Sequence, residues 1–231
     1  MTSIASVILE TSDPAGAERF YDDAFDLGDR LQVRPADAPT SGFRGFALSL
    51  VVAQPNIVDA LTDAATRHGA AILKPAKKSF WGYGSVLRAP DGAIWKIAST
   101  AKKNSGPPTR QIDDFVLLLG VADVPATKQF YVGHGLSVAK SFGSKYVEFD
   151  SGNSPVKLAL YSRRAAAKDV GVAADGTGSH RIVILGGSAP FTDPDGFAWE
   201  AATAGAPRAT SVTCAATSDG TTSDDRTSHD E

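Results

Sequence analysis

Pro90-Asp91-Gly92-Ala93-Ile94-Trp95-Lys96 and Pro194-Asp195-Gly196-Phe197-Ala198-Trp199-Glu200 are one phrase written twice. Pro presets φ, Asp bonds locally and Gly accepts the positive φ of the next position, so each phrase predicts a tight turn into a closing strand. Upstream of each lies a second shared landmark, a strand that runs into a helix. Val7-Ile8-Leu9-Glu10-Thr11-Ser12-Asp13 precedes Phe20-Tyr21, and Leu117-Leu118-Leu119-Gly120-Val121-Ala122-Asp123 precedes Phe130-Tyr131, with the same Asp-to-Phe spacing. Two landmarks in the same order at similar separations predict an internal repeat.

Each landmark has a local physical reading. Asp13 is a good N-cap with Pro14 at the first helical position, and Ala17, Phe20, Ala24 and Leu27 form one apolar face before Gly28 as the stop. Further strands are expected near residues 30–34, 43–52, 84–88 and 93–98, with a helix from Asn56 to His68 ended by Gly69. The second copy predicts strands near 145–149, 156–161 and 181–185. Its second helix is either missing or displaced to residues 163–170.

Ala101-Lys102-Lys103-Asn104-Ser105-Gly106-Pro107-Pro108-Thr109 reads as a linker near the middle of the patterned sequence. The expected organisation is a module over 1–101, a linker over 102–110, a second module over 111–203 and an acidic, Ser/Thr-rich disordered tail over 204–231. From Gly205 on the tail holds one branched aliphatic, Val212, and no aromatic residue, too little apolar surface to offset ordering entropy. It also holds all of the net charge of −3. The remaining body is balanced and has no basic stripe, which argues against a nucleic-acid partner. No window predicts a membrane span, and one cysteine, Cys214, permits neither an intramolecular disulfide nor a thiolate metal site. A cytoplasmic protein, monomeric or homodimeric, is expected.

The doubled strand, helix and Pro-Asp-Gly closing strand resembles the vicinal oxygen chelate superfamily, the glyoxalase, bleomycin-resistance and dioxygenase group. That resemblance implies an α+β fold in which tandem βαβββ modules form a curved mixed sheet around a cup. In the family a divalent metal often sits in the cup. Its first-strand histidine falls here on Ser6 and Val116, and its last-strand carboxylate on Lys96 and Glu200. Only Glu200 matches, so no metal and no cofactor are expected. His68, His134 and His229 do not restore the set; His180 alone enters a strand.

Period-two alternation from those positions puts Ser6, Ile8 and Glu10, then Val116 and Leu118, on the cup face, giving an apolar cavity with few polar groups. Lys96 and Glu200, related by the repeat, are expected to approach each other. Either they form a structural ion pair, or Lys96 grips an anionic or carbonyl oxygen while Glu200 or Glu10 moves a proton. The aromatics of Phe80-Trp81-Gly82-Tyr83-Gly84 either cover a planar ligand or pack on the sheet rim, with Trp81 and Tyr83 as candidate contacts. Tyr146, Tyr161 and His180 are further candidates, whereas Trp95 and Trp199 should be core. Two functions are compatible with this pattern: metal-independent binding of a small hydrophobic or aromatic molecule for sequestration, resistance or carriage, or an isomerase, lyase, cyclase or dioxygenase using Glu200, Glu10 and Lys96 or a displaced metal site.

Overall fold

The computed structural model describes residues 2–202; the expected tail, with Cys214 and His229, lies outside them. The N-terminal half runs β1 (Ile4–Thr11), α1 (Pro14–Ala24), β2 (Leu31–Pro35), β3 (Thr40–Gly42), β4 (Phe46–Val51), α2 (Pro55–Arg67), β5 (Ala71–Ser79), β6 (Gly82–Arg88) and β7 (Ile94–Ser99). The C-terminal half runs β8 (Asp114–Val121), α3 (Val124–Gly133), β9 (Val138–Ser141), β10 (Tyr146–Phe149), β11 (Lys157–Ser162), α4 (Arg163–Val170), β12 (Gly176–Gly178), β13 (Ile182–Gly186), β14 (Phe191–Thr192) and β15 (Ala198–Glu200). The architecture is α+β, with mixed sheets and short helices.

Both landmarks form as their chemistry dictates. Asp13 Oδ1 accepts the Gly16 amide at 2.9 Å, and Asp123 Oδ1 accepts the Ala126 amide at 3.0 Å. The Pro-Asp-Gly turns close the β6–β7 and β14–β15 hairpins, with Gly92 and Gly196 at φ of 88° and 89°. α1 ends a turn before Gly28, which instead opens a 3-10 turn; Arg110 Nη2 donates to the exposed carbonyls of Asp23 and Ala24. The second helix of the C-terminal half is the displaced one, α4.

The landmarks also bond to each other. Tyr21 donates its hydroxyl to Asp91 at 2.9 Å and Trp95 Nε1 donates to Tyr21 at 3.4 Å; Tyr131 donates to Asp193 at 2.7 Å and Trp199 Nε1 to Tyr131 at 3.2 Å. Trp95 and Trp199 are fully buried, as expected. Burial pushes both phenols well above their ordinary range, and the neighbouring carboxylates reinforce the shift. Each Phe-Tyr thus carries a hydroxyl that satisfies a turn Asp and an indole inside one core, where an unmade bond costs about 1–3 kcal/mol.

The strands form an eight-stranded sheet, β5-β6-β7-β4-β8-β11-β10-β9, and a five-stranded sheet, β14-β15-β13-β1-β2; β3 and β12 pair separately. The two share a plan. In the large sheet an antiparallel pair, β4 and β8, is flanked by parallel β7 and β11; in the small one β13 and β1 are flanked by parallel β15 and β2. Each sheet takes strands from both halves of the chain. One apolar cluster joins alternate side chains of both sheets, such as Leu9, Leu48, Leu117 and Ile184, to α1, α2 and α3. The residues between them in sequence form two other faces, the candidate cups.

Candidate functional site

Pairing register places the expected ligand positions. Across the large sheet, Lys96 pairs with Ser49, Ser49 with Val116 and Val116 with Lys157, one level row on one face. Across the small sheet, Glu200 pairs with Leu185 and Leu185 with Ser6. Lys96 and Glu200 are therefore equivalent positions of two different sheets. The expected approach of Lys96 to Glu200 does not occur, because the two lie in different sheets and pair instead with Asp169 and Arg34.

Two ammonium groups, a hydroxyl and an isopropyl group offer no donor set for a divalent cation, and neither does the Glu200, Leu185 and Ser6 row. Among the described residues no three His, Cys, Asp or Glu side chains cluster as metal ligands. The residues present do not fit the metal that the resemblance implies.

On the small sheet the polar groups satisfy each other. Arg34 Nε and Nη2 donate to Glu10 Oε1 at 2.9 and 2.7 Å, and its Nη1 donates to Glu200 Oε1 at 2.8 Å. Burial works against the guanidinium charge, but the bonds to Glu10 and Glu200 outweigh it and raise its pKa above the ordinary value. Ser6 and Ile8 are buried on this sheet. The expected acid–base trio is not assembled: Glu10 and Glu200 share Arg34, while Lys96 lies on the other sheet. Arg34 was not among the candidates. Its signal was available in the strand expected at 30–34, but only the parallel β1–β2 register, Glu10 opposite Arg34, identifies its partner.

The large sheet has an open face. α4 covers part of it, seating Ala166, Ala167 and Val170 on Phe43, Ala47, Val86 and Ile94. Gly120 eases that seat, since a Cβ there would lie 3.0 Å from the Ala166 methyl, tighter than ordinary contact. Ser162 caps the start of α4, and Lys74 Nζ donates to the carbonyls of Lys168 and Asp169 at its end. Asp169 in turn accepts from Lys96 Nζ at 2.8 Å, both groups about one-third exposed.

What α4 leaves uncovered is a cleft of about 470 Å³ whose lining includes Lys96, Val116, Leu118, Ala159, Tyr146 and Tyr161. The Tyr146 and Tyr161 rings stand 4.9 Å apart, inclined at 49°. Burial pushes both hydroxyls up, helped by Glu148 for Tyr146 and by Asp169 for Tyr161, so both are neutral donors at neutral pH. Tyr146 donates to Glu148 at 3.1 Å, whereas the Tyr161 hydroxyl has no hydrogen bond among the described residues. Trp81 stands at the rim, 83% exposed and edge-on to Phe80. Tyr83 also borders the cleft, but its side chain reaches α2, where its hydroxyl donates to Asp59 at 2.8 Å.

The cleft thus collects Lys96, Val116, Leu118, Trp81, Tyr146 and Tyr161 from the expected residues, with Tyr83 at its border. It excludes Ser6, Ile8, Glu10 and Glu200, which lie on the small sheet, and His180. The His180 ring nitrogens contact the carbonyls of Arg44 at 2.5 Å and Asp195 at 2.9 Å, and its ring stacks on Phe197. It ties the loop before β4 to the second Pro-Asp-Gly turn and does not line the cleft. Sequence reading also missed α4 as a wall, because nothing local shows which sheet a displaced helix covers.

Solved structures share this fold. Glyoxalase I from Zea mays superimposes with a TM-score of 0.55 at 12% identity over 86% of this chain and 91% of that one. The chain has the vicinal oxygen chelate fold. The V278E mutant of the Zea mays glyoxalase I gives 0.54 at 12% identity over 86% of this chain and 91% of that one. A putative dioxygenase from Bacillus subtilis gives 0.53 at 13% identity over 79% and 69%. At such identities the likeness is one of fold alone. No protein-family model and no curated protein matches the sequence. No helix among the described residues is long and apolar enough to cross a membrane.

Proposed function

We propose that the chain binds a small aromatic molecule on the open face of its large sheet, without a conventional metal ion, in a sequestering, resistance or carrier role. The observation that carries this reading is the cleft itself. Its volume falls in the range of small-molecule pockets, about 300–1,000 Å³, and its apolar floor and paired tyrosines suit a planar ring. The glyoxalase and dioxygenase names of the structural neighbours describe those proteins; here the positions of the expected metal ligands carry Lys96 and Val116 on the large sheet and Ser6 and Glu200 on the small one.

The test is a titration of EDTA-treated protein with the neutral fluorophore phenylnaphthylamine, with Val116→Trp, which fills the floor, as control. Saturable binding by the wild type and its loss in Val116→Trp are expected. Binding that requires an added divalent ion, or that persists unchanged in Val116→Trp, contradicts the reading.

A further inference from the structure

β5 is an exposed edge strand whose sequence, Ala71-Ile72-Leu73-Lys74-Pro75-Ala76-Lys77-Lys78-Ser79, has no clean alternation. Regular pairing sends residues three apart to opposite faces of a sheet. Lys74 nevertheless pairs with Val86 and Lys77 with Gly84, residues two apart on β6 and both on the cleft face, because the register shifts between them. An extra residue in a bulged strand re-aims the side chains beyond it. The irregularity around Pro75 therefore brings two lysines to one side of the cleft, and both line it.

The charges there do not cancel. The cleft is lined by Lys74, Lys77, Lys96 and one carboxylate, Asp169. Asp169 is committed to Lys96. Lys74 is held by two backbone carbonyls, neutral acceptors that fix its position and leave its charge. Lys77 has no hydrogen bond or ion pair among the described residues. The β5 side thus keeps two unmatched positive charges, while the β10–β11 side presents Tyr146 and Tyr161, with Val116 and Leu118 between. An unmatched cation beside an apolar, partly dewatered floor favours an anion more than the same cation in open solvent does.

We infer that the cleft selects an amphiphilic anion: an aromatic ring system carrying a carboxylate, sulfonate or similar acidic group, with the ring toward Tyr146 and Tyr161 and the acid toward Lys77 and Lys74. This rests on the binding reading above and adds the sign and position of the charge.

Two dyes with one ring system separate the claims. Anilinonaphthalene sulfonate carries the acid; phenylnaphthylamine is its unsulfonated parent. The sulfonate is expected to bind about tenfold more tightly than the parent at low ionic strength, an advantage that shrinks as salt is raised. Lys77→Gln, on an exposed edge and harmless to the fold, is expected to weaken the sulfonate about three- to tenfold and leave the parent unchanged. Lys77→Glu should weaken it further. Equal affinities for the two dyes, or a sulfonate affinity indifferent to both Lys77 variants and to salt, overturns the charge inference while leaving an aromatic cleft in place. Binding of both dyes that survives Val116→Trp overturns the cleft reading as well.

Discussion

The two sheets answer the same positional question in opposite ways. On the small sheet, Glu200 and Glu10 close on Arg34, so every strong polar group has a partner and the face is fastened. On the large sheet, the equivalent of Glu200 is Lys96, which is anchored to α4, and beside it lie a phenol and an ammonium without partners among the described residues, over an apolar floor. Self-satisfied polar groups make structure; polar groups left open over apolar surface make a site. The contrast teaches that equivalent positions of two similarly built sheets can serve different ends.

The contrast breaks first if the copies are not equivalent in the core. Trp95→Ala and Trp199→Ala should each cost about 3–5 kcal/mol in denaturant unfolding, since each removes a fully buried indole bonded to a buried Tyr. A near-neutral result at either one dismisses the idea that both landmarks support a common core.

Next comes the small-sheet clamp. Arg34→Ala leaves Glu10 and Glu200 facing each other without a cation. The groups are partly exposed, so screening limits the expected loss to about 1 kcal/mol, with dye binding at the large sheet unchanged. An Arg34→Ala variant that keeps its stability but loses the dye reverses the assignment of structure and site.

A pH titration sharpens the difference between the turn carboxylates. Burial raises the pKa of Asp193 above the ordinary aspartate value, against the hydrogen bonds from Tyr131 and the backbone that lower it. A raised folded pKa means that the folded state holds the proton more tightly than the unfolded one. The stability linked to this group is full below the unfolded pKa and declines as pH rises through the folded one. Asp193→Asn should flatten that part of the stability–pH curve; an unchanged slope excludes Asp193 as its source. The smallest effect is expected at Tyr161→Phe, which removes a hydroxyl with no described partner: stability within about 0.5 kcal/mol of wild type, with any loss confined to ligands that accept a hydrogen bond.

Much of the fold was legible because it is written in local chemistry. Asp13 and Asp123 cap helices, Pro-Asp-Gly turns chains, and alternation separated Trp95 and Trp199 from Lys96 and Glu200. Legibility ended where distant strands choose partners. Nothing near Lys96 or Glu200 reveals that β7 joins β4 while β15 joins β13, so two members of different sheets were expected to face one another. The same gap hid Arg34, whose meaning depends on Glu10 and Glu200 in other strands, and the β5 edge, whose bulges erase the period-two signal. Of the seven expected residues that border the cleft, Lys96, Val116 and Leu118 follow from phase along single strands, and Trp81 and Tyr83 from the aromatic-glycine run before β6, both local properties.

A crystal structure of the protein with anilinonaphthalene sulfonate tests the central claim most directly. The naphthalene ring is expected against Tyr146 and Tyr161 on the large sheet, with the sulfonate near Lys77. Density for the dye across Arg34 on the small sheet, with the large-sheet cleft empty, contradicts the claim.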